Sequence, residues 1–253
     1  MNLPHKPTET YNTDRVSRPQ NPKNWPKLLI GLGLAASVIA GRLIARRKSG
    51  KPNFAKADTW RKALIGKYGT IEAEALMVKL QQRYEELYRA RSHYDHPALR
   101  KHLAQNILPG LTLYQVLLAE GNDQAAALAE VEQLLYASAV RSGLRQTVAA
   151  LKFLPEPFTL LRPVVRAAMR FGFPAAGWET DWLEDSDQRI AFNIRRCFYL
   201  DTLTTYGAPE LTPLFCRMDD VVYEALPASI RWERTGTLGR GNDRCDFCYR
   251  HTA

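Results

Sequence analysis

Four cysteines confined to the C-terminal end constrain this chain more than any other feature. Cys197, Cys216, Cys245 and Cys248 all lie between Phe192 and Arg250, and residues 1–196 hold none. The local pattern there predicts a strand, a helix and a strand pair. Phe192–Thr205 is rich in aromatic and β-branched residues, as a strand requires. Tyr206-Gly207-Ala208-Pro209 is a turn with proline at a first helical position. Leu211, Leu214, Phe215, Met218, Val222 and Leu226 then form one apolar stripe on a helix over Glu210–Leu226. Ile230–Leu238 and Arg244–His251 close the unit as two strands around the turn-forming run Gly239–Asp243.

That arrangement brings chemistry-bearing side chains onto few surfaces. Cys216 and Asp219 are three residues apart on the helix and share a face, so a thiol and a carboxylate point the same way. Such a carboxylate can act as a general base, or orient a metal or a substrate amine. An exposed Asp beside a buried, inert Cys satisfies the same spacing. Cys245 and Cys248 suggest zinc by their spacing, but residues i and i+3 on a strand face opposite sides, so only one can join Cys197 and Cys216. Arg195, Arg196 and Arg234 are candidates to grip a substrate carboxylate, or are plain surface arginines of a sheet. His93 and His96 lack any partner that would complete a metal site, which leaves them a capping or surface role.

The series Arg196-Cys197-Phe198-Tyr199, Gly207–Leu211, Phe215–Asp220 and Arg234–Phe247 resembles the C-terminal signature of the L-2-amino-thiazoline-4-carboxylic acid hydrolase family. The resemblance extends more weakly upstream through Leu108–Tyr114, so that it covers roughly residues 90–250; Cys248 departs from the pattern and residues 1–55 stand outside it. It implies hydrolysis of a small cyclic amidine to an N-carbamoyl-cysteine-like product. It also implies Asp219, Cys216 and Cys245 as catalytic residues, with Arg196, Arg234 and Cys197 binding substrate. Cys245 belongs to the family ending, so it is the member of the pair expected beside Cys197 and Cys216. Those three thiols with Asp219 could hold a divalent metal, and three core cysteines without metal are the equal alternative. A non-catalytic, membrane-tethered binding or sensing module on the same fold is the second functional reading.

The rest of the chain predicts helices before the sheet, an α+β organisation. Helical patterns run over Ala57–Arg91 (with breaks at Gly66 and Gly69), from Pro97, over Leu111–Ala119 after a Pro109-Gly110 separator, and over Gln124–Arg141, Leu144–Leu154 and Arg162–Phe171. Residues 57–253 are thus the expected hydrolase-like domain. Residues 1–27 are polar and proline-rich, a predicted disordered tail. Within residues 28–48, the apolar run Leu28–Ala45 would span about 27 Å as a helix, near the thickness of a hydrocarbon core. Trp25 before it and Arg46-Arg47-Lys48 after it are the flanks of a single-pass anchor with the C-terminal domain in the cytoplasm, where free thiols stay reduced. The net charge of +9 comes with no nucleic-acid-binding signature and is assigned to the anchor's flank and to solvated helix faces. The expected partners are therefore a small-molecule substrate and a membrane.

Overall fold

Trp60 anchors the helical part of the protein. In the computed structural model, which describes residues 52 and 54–252, its indole is fully buried and donates to the Leu134 carbonyl at 3.0 Å and to Ser138 Oγ at 2.9 Å. It lies on α1 (Ala57–Tyr68), which meets α2 (Thr70–Ala90) at Gly69. Of the two expected breaks only Gly69 is used; Gly66 continues α1. Leu64, Leu80, Tyr84 and Leu87 turn into the core as their spacing predicts, but Ile71 is 81 % exposed.

α3 (Pro97–His102) runs through a π turn, Leu103–Ile107, into α4 (Leu108–Ala119). Pro109 and Gly110 therefore separate nothing. Pro109 follows directly on the π turn, so its missing N–H falls where the helix already changes its hydrogen-bond register. Gly110 is where another helix comes closest: a Cβ there would stand 2.7 Å from Phe215 Cζ. α5 (Gln124–Val140) is capped by the Asp123 carboxylate and α6 (Gly143–Ala150) by the Ser142 hydroxyl. α7 (Pro157–Ala167) carries Pro163 inside and unwinds through a π turn over Ala168–Gly172.

The sheet is antiparallel throughout, in the order β1-β2-β4-β3. Its strands are β1 (Trp178–Asp185), β2 (Arg189–Cys197), β3 (Ile230–Glu233) and β4 (Cys245–His251). The protein is thus mostly helical with a small four-stranded sheet at its C-terminal end, and it departs from the strand-helix-strand-strand expectation in three ways. β1 is a strand that the sequence pattern did not mark, since its acidic residues mask the alternation. The run Phe192–Thr205 stops being a strand at Cys197. There β2 outruns β4, whose pairing ends at Ile194–Cys245, and the chain turns into α8 (Phe198–Thr205). Phe198 and Thr202 are buried one helical turn apart and Leu203 fully, so packing overrides strand propensity. β3 ends at Glu233, and Thr235–Arg244 is a loop held by Asp246, which accepts from the Thr235 and Gly236 amides at 3.0 and 2.7 Å.

α9 (Thr212–Tyr223) follows a 3-10 turn, Pro209–Leu211, and lies between the helices and the sheet. It packs on α5 and α6, while Tyr223 meets Tyr249 of β4 edge to face. The anchor expected at residues 28–48 lies outside the described residues. Among the described residues, no helix is long and apolar enough to cross a membrane.

Candidate active site

One helix and one loop bring the predicted residues together. α9 presents Cys216 and Asp219 on the same side, as their spacing requires. The loop after β3 covers them closely: a Cβ on Gly239 would stand 3.0 Å from Cys216 Sγ, 2.9 Å from Thr212 Cγ2 and 3.1 Å from the Pro213 backbone nitrogen. Only glycine fits there. Leu238, its neighbour, donates its amide to Cys245 Sγ at 3.2 Å. Cys197 ends β2 close enough to Cys216 and Asp219 to feel their charge, and Cys245 feels both other thiols. Cys197, Cys216, Asp219 and Cys245 therefore lie within electrostatic reach of one another. Cys248 is on the opposite face of its strand, in contact with Arg189 at 3.3 Å.

Arg234 fixes the geometry. Its side chain is only 4 % exposed, and it donates to Asp219 at 3.0 Å, to Asp220 at 2.7 Å and to the Cys216 carbonyl at 2.7 Å. Trp232 Nε1 adds a bond to Asp220 at 3.2 Å. Arg234 is thus committed to the helix that bears the site, which replaces the expectation of a free hand for a substrate carboxylate. Arg196 is also engaged, donating to the carbonyls of Ala175 and Ala176 at 3.1 and 3.3 Å. Arg195 pairs with Asp181 and Asp243.

The electrostatics separate the carboxylate from the thiols. Burial pushes Asp219 up to about 6, with Arg234 opposing the rise and Asp220 adding to it. Its side chain is 43 % exposed. The loss of surrounding water is nevertheless the largest cause of the rise. Burial raises Cys197 to about 11 and Cys245 to about 12. Cys216 rises as well, through burial first and the Asp219 charge second. A thiol at about 12 is ionised to roughly one part in 10⁵ at neutral pH. Burial therefore disfavours the thiolate at all three positions. Among the described residues, no three His, Cys, Asp or Glu side chains are grouped to hold a metal ion.

Sequence reasoning missed Tyr199 and His102. His102 Nε2 lies 2.9 Å from the Gly172 carbonyl, so that nitrogen carries the proton and Nδ1 accepts from the Tyr199 hydroxyl at 2.8 Å. Burial lowers the His102 pKa, which keeps the ring neutral, and its ring packs against Phe173 and Trp178. Tyr199 is near enough to Asp219 and Cys197 for their charges to raise its pKa, after burial, the larger cause. Tyr199 stands inside the Arg196–Tyr199 series and could have been singled out; nothing local to His102 points to it. Thr237, almost fully buried, sets its hydroxyl beside the Cys216 thiol, a contact that favours the thiolate against burial. His96 caps α3 through Nδ1, as its position before Pro97 predicts.

A family model described as L-2-amino-thiazoline-4-carboxylic acid hydrolase matches residues 100–249, from α3 to the last strand. No curated protein matches the chain.

Proposed function

Because the chain belongs to the L-2-amino-thiazoline-4-carboxylic acid hydrolase family, we propose that it hydrolyses a small cyclic amidine of the 2-amino-thiazoline-4-carboxylate type. The observation that carries this reading is Asp219, a carboxyl raised to about 6 and held by Arg234 on the same helix face as Cys216. A carboxylate poised there takes a proton from water at neutral pH better than an ordinary one does. The water oxygen bonds to the ring carbon between nitrogen and sulfur as the C=N π pair moves to the ring nitrogen, which takes the proton Asp219 received, giving a neutral tetrahedral centre. Collapse forms the carbonyl and breaks the carbon–sulfur bond, and the hydroxyl proton passes through Asp219 to the departing sulfur. The product carries a free thiol and an N-carbamoyl group. The neutral Cys216 thiol and the Thr237 hydroxyl beside it are the donors that would meet charge developing on the substrate. Arg234 supplies positive charge without leaving Asp219.

The test is to incubate the protein with 2-amino-thiazoline-4-carboxylate and follow free thiol together with product mass. One thiol released per ring opened is expected. Binding of the thiazoline without any thiol release would overturn the hydrolase reading.

A further inference from the structure

The hydrolysis uses only the face of the sheet that packs on the helices. On the other face, Asn193 of β2 sits opposite Asp246 of β4, and Cys248 lies between Ala191 of β2 and Glu233 of β3. These residues, with Arg189 and Arg244, line a recess of about 260 Å³. Asn193 is 6 % exposed, and among the described residues no protein group hydrogen-bonds its carboxamide, which borders the recess. Its amide is left to solvent within the recess, so a bound group can take the place of water there.

The sulfur in this recess is set up for exchange. Arg189 donates its Nε–H to Cys248 Sγ at 3.3 Å, and the Glu233 carboxylate across the strand contacts the same thiol. The recess also favours negative charge, because its two carboxylates are already engaged. Glu233 pairs with Arg250 and Arg231, and Asp246 accepts from Thr235 and Gly236. Arg189 and Arg244 each pair with one carboxylate and keep further N–H donors.

We propose that this recess is a thiol-modification site in which Cys248 exchanges with a small anionic disulfide of the glutathione type, its carboxylates met by Arg189 and Arg244 and its amide by Asn193. The Cys248 sulfur attacks one sulfur of the disulfide. A new sulfur–sulfur bond forms as the old one breaks, and the departing half leaves with the electron pair and takes up the proton released from the thiol. Cys248 is oxidised to the mixed disulfide and half of the reagent is reduced to its thiol. The other three cysteines should not compete, since burial holds Cys197 at about 11, Cys245 at about 12 and Cys216 above its ordinary value.

The full chain should be exposed in parallel to glutathione disulfide and to the neutral 2-hydroxyethyl disulfide, with adducts quantified by intact mass and located by peptide mapping. One glutathionyl adduct is expected, on Cys248, and Cys248→Ser should abolish it. Arg244→Gln and Asn193→Ala should each slow capture of glutathione disulfide about tenfold, the loss of one strong hydrogen bond. Both should leave the rate with the neutral disulfide within about twofold. Adducts on Cys197, Cys216 or Cys245, no adduct at Cys248, or equal slowing for both disulfides would overturn the proposal.

Discussion

Asp219 and Asp220 are neighbours with different work. Asp220 accepts from Trp232 and Arg234 and ties β3 to α9, whereas Asp219 faces the thiols and shares only Arg234. Asp219→Asn should therefore lower thiazoline turnover roughly 10²–10⁴-fold, and Asp220→Asn much less; equal losses in kcat would count against Asp219 as the base. In the wild type, turnover should rise with pH through about 6 as the Asp219 carboxylate forms. The same shift bears on stability with the opposite sign. The folded pKa of about 6 exceeds the unfolded value of about 4, so the native state binds more protons in that window. Ionising Asp219 thus costs stability as pH rises from about 4 to about 6, and the cost is complete above that. Thermal melts at pH 4 and pH 8 should show Asp219→Asn gaining on wild type at the higher pH. An unchanged gap would show that burial does not control this carboxyl. The pairing of Cys216 with Asp219 was legible from their three-residue spacing. The commitment of Arg234 was not, because an exposure of only 4 % depends on how β3, the loop and α9 close over it.

At the scale of elements, the site depends on a loop pressed against a helix. Gly239 has backbone and side-chain atoms within 3.1 Å of where a Cβ would be, and one of them, the Pro213 nitrogen, cannot rotate away. Gly239→Ala should cost about 1–3 kcal/mol by overpacking and push the loop off Cys216. Denaturant unfolding measures the first effect; faster alkylation of Cys216 in the folded protein measures the second. Full stability with an unreactive Cys216 would mean that the contact is slack. The helices legible from the sequence were those with caps and clean periodicity, such as α5 behind Asp123. β1 and α8 were less legible for a common reason. The acidic β1 gains strand structure by pairing with β2, and the β-prone Phe198–Thr205 becomes helical where β2 runs out of partner strand. Both outcomes are set by neighbours distant in sequence rather than by local preference.

The whole molecule divides at Lys51, and everything argued for the site lies in Pro52–Ala253. That unit reaches back to Phe54, which is 4 % exposed, stacks on Tyr84 at 5.1 Å between ring centroids and meets Trp60 edge to face at 5.5 Å. A chain begun at Lys51 keeps this aromatic cluster, while one begun at Lys56 removes a buried phenylalanine and should lose about 3–5 kcal/mol. The residues before Lys51 bear on location instead. Leu28–Ala45 is an apolar run with Lys23 and Lys27 on one side and Arg46, Arg47, Lys48, Lys51 and Lys56 on the other. If it spans a bilayer, the heavier cationic flank stays in the cytoplasm, together with the domain that follows. The four free cysteines fit that side, since thiols there are kept reduced. The expected outcome is that the full chain sediments with membranes and resists high-salt extraction, whereas the chain begun at Lys51 remains in the supernatant with its thiazoline turnover intact. Charge alone would hold the full chain only at low salt. Release of the full chain by salt would therefore reduce the cationic flank to a surface contact, and recovery in the soluble fraction at low salt would remove the anchor altogether.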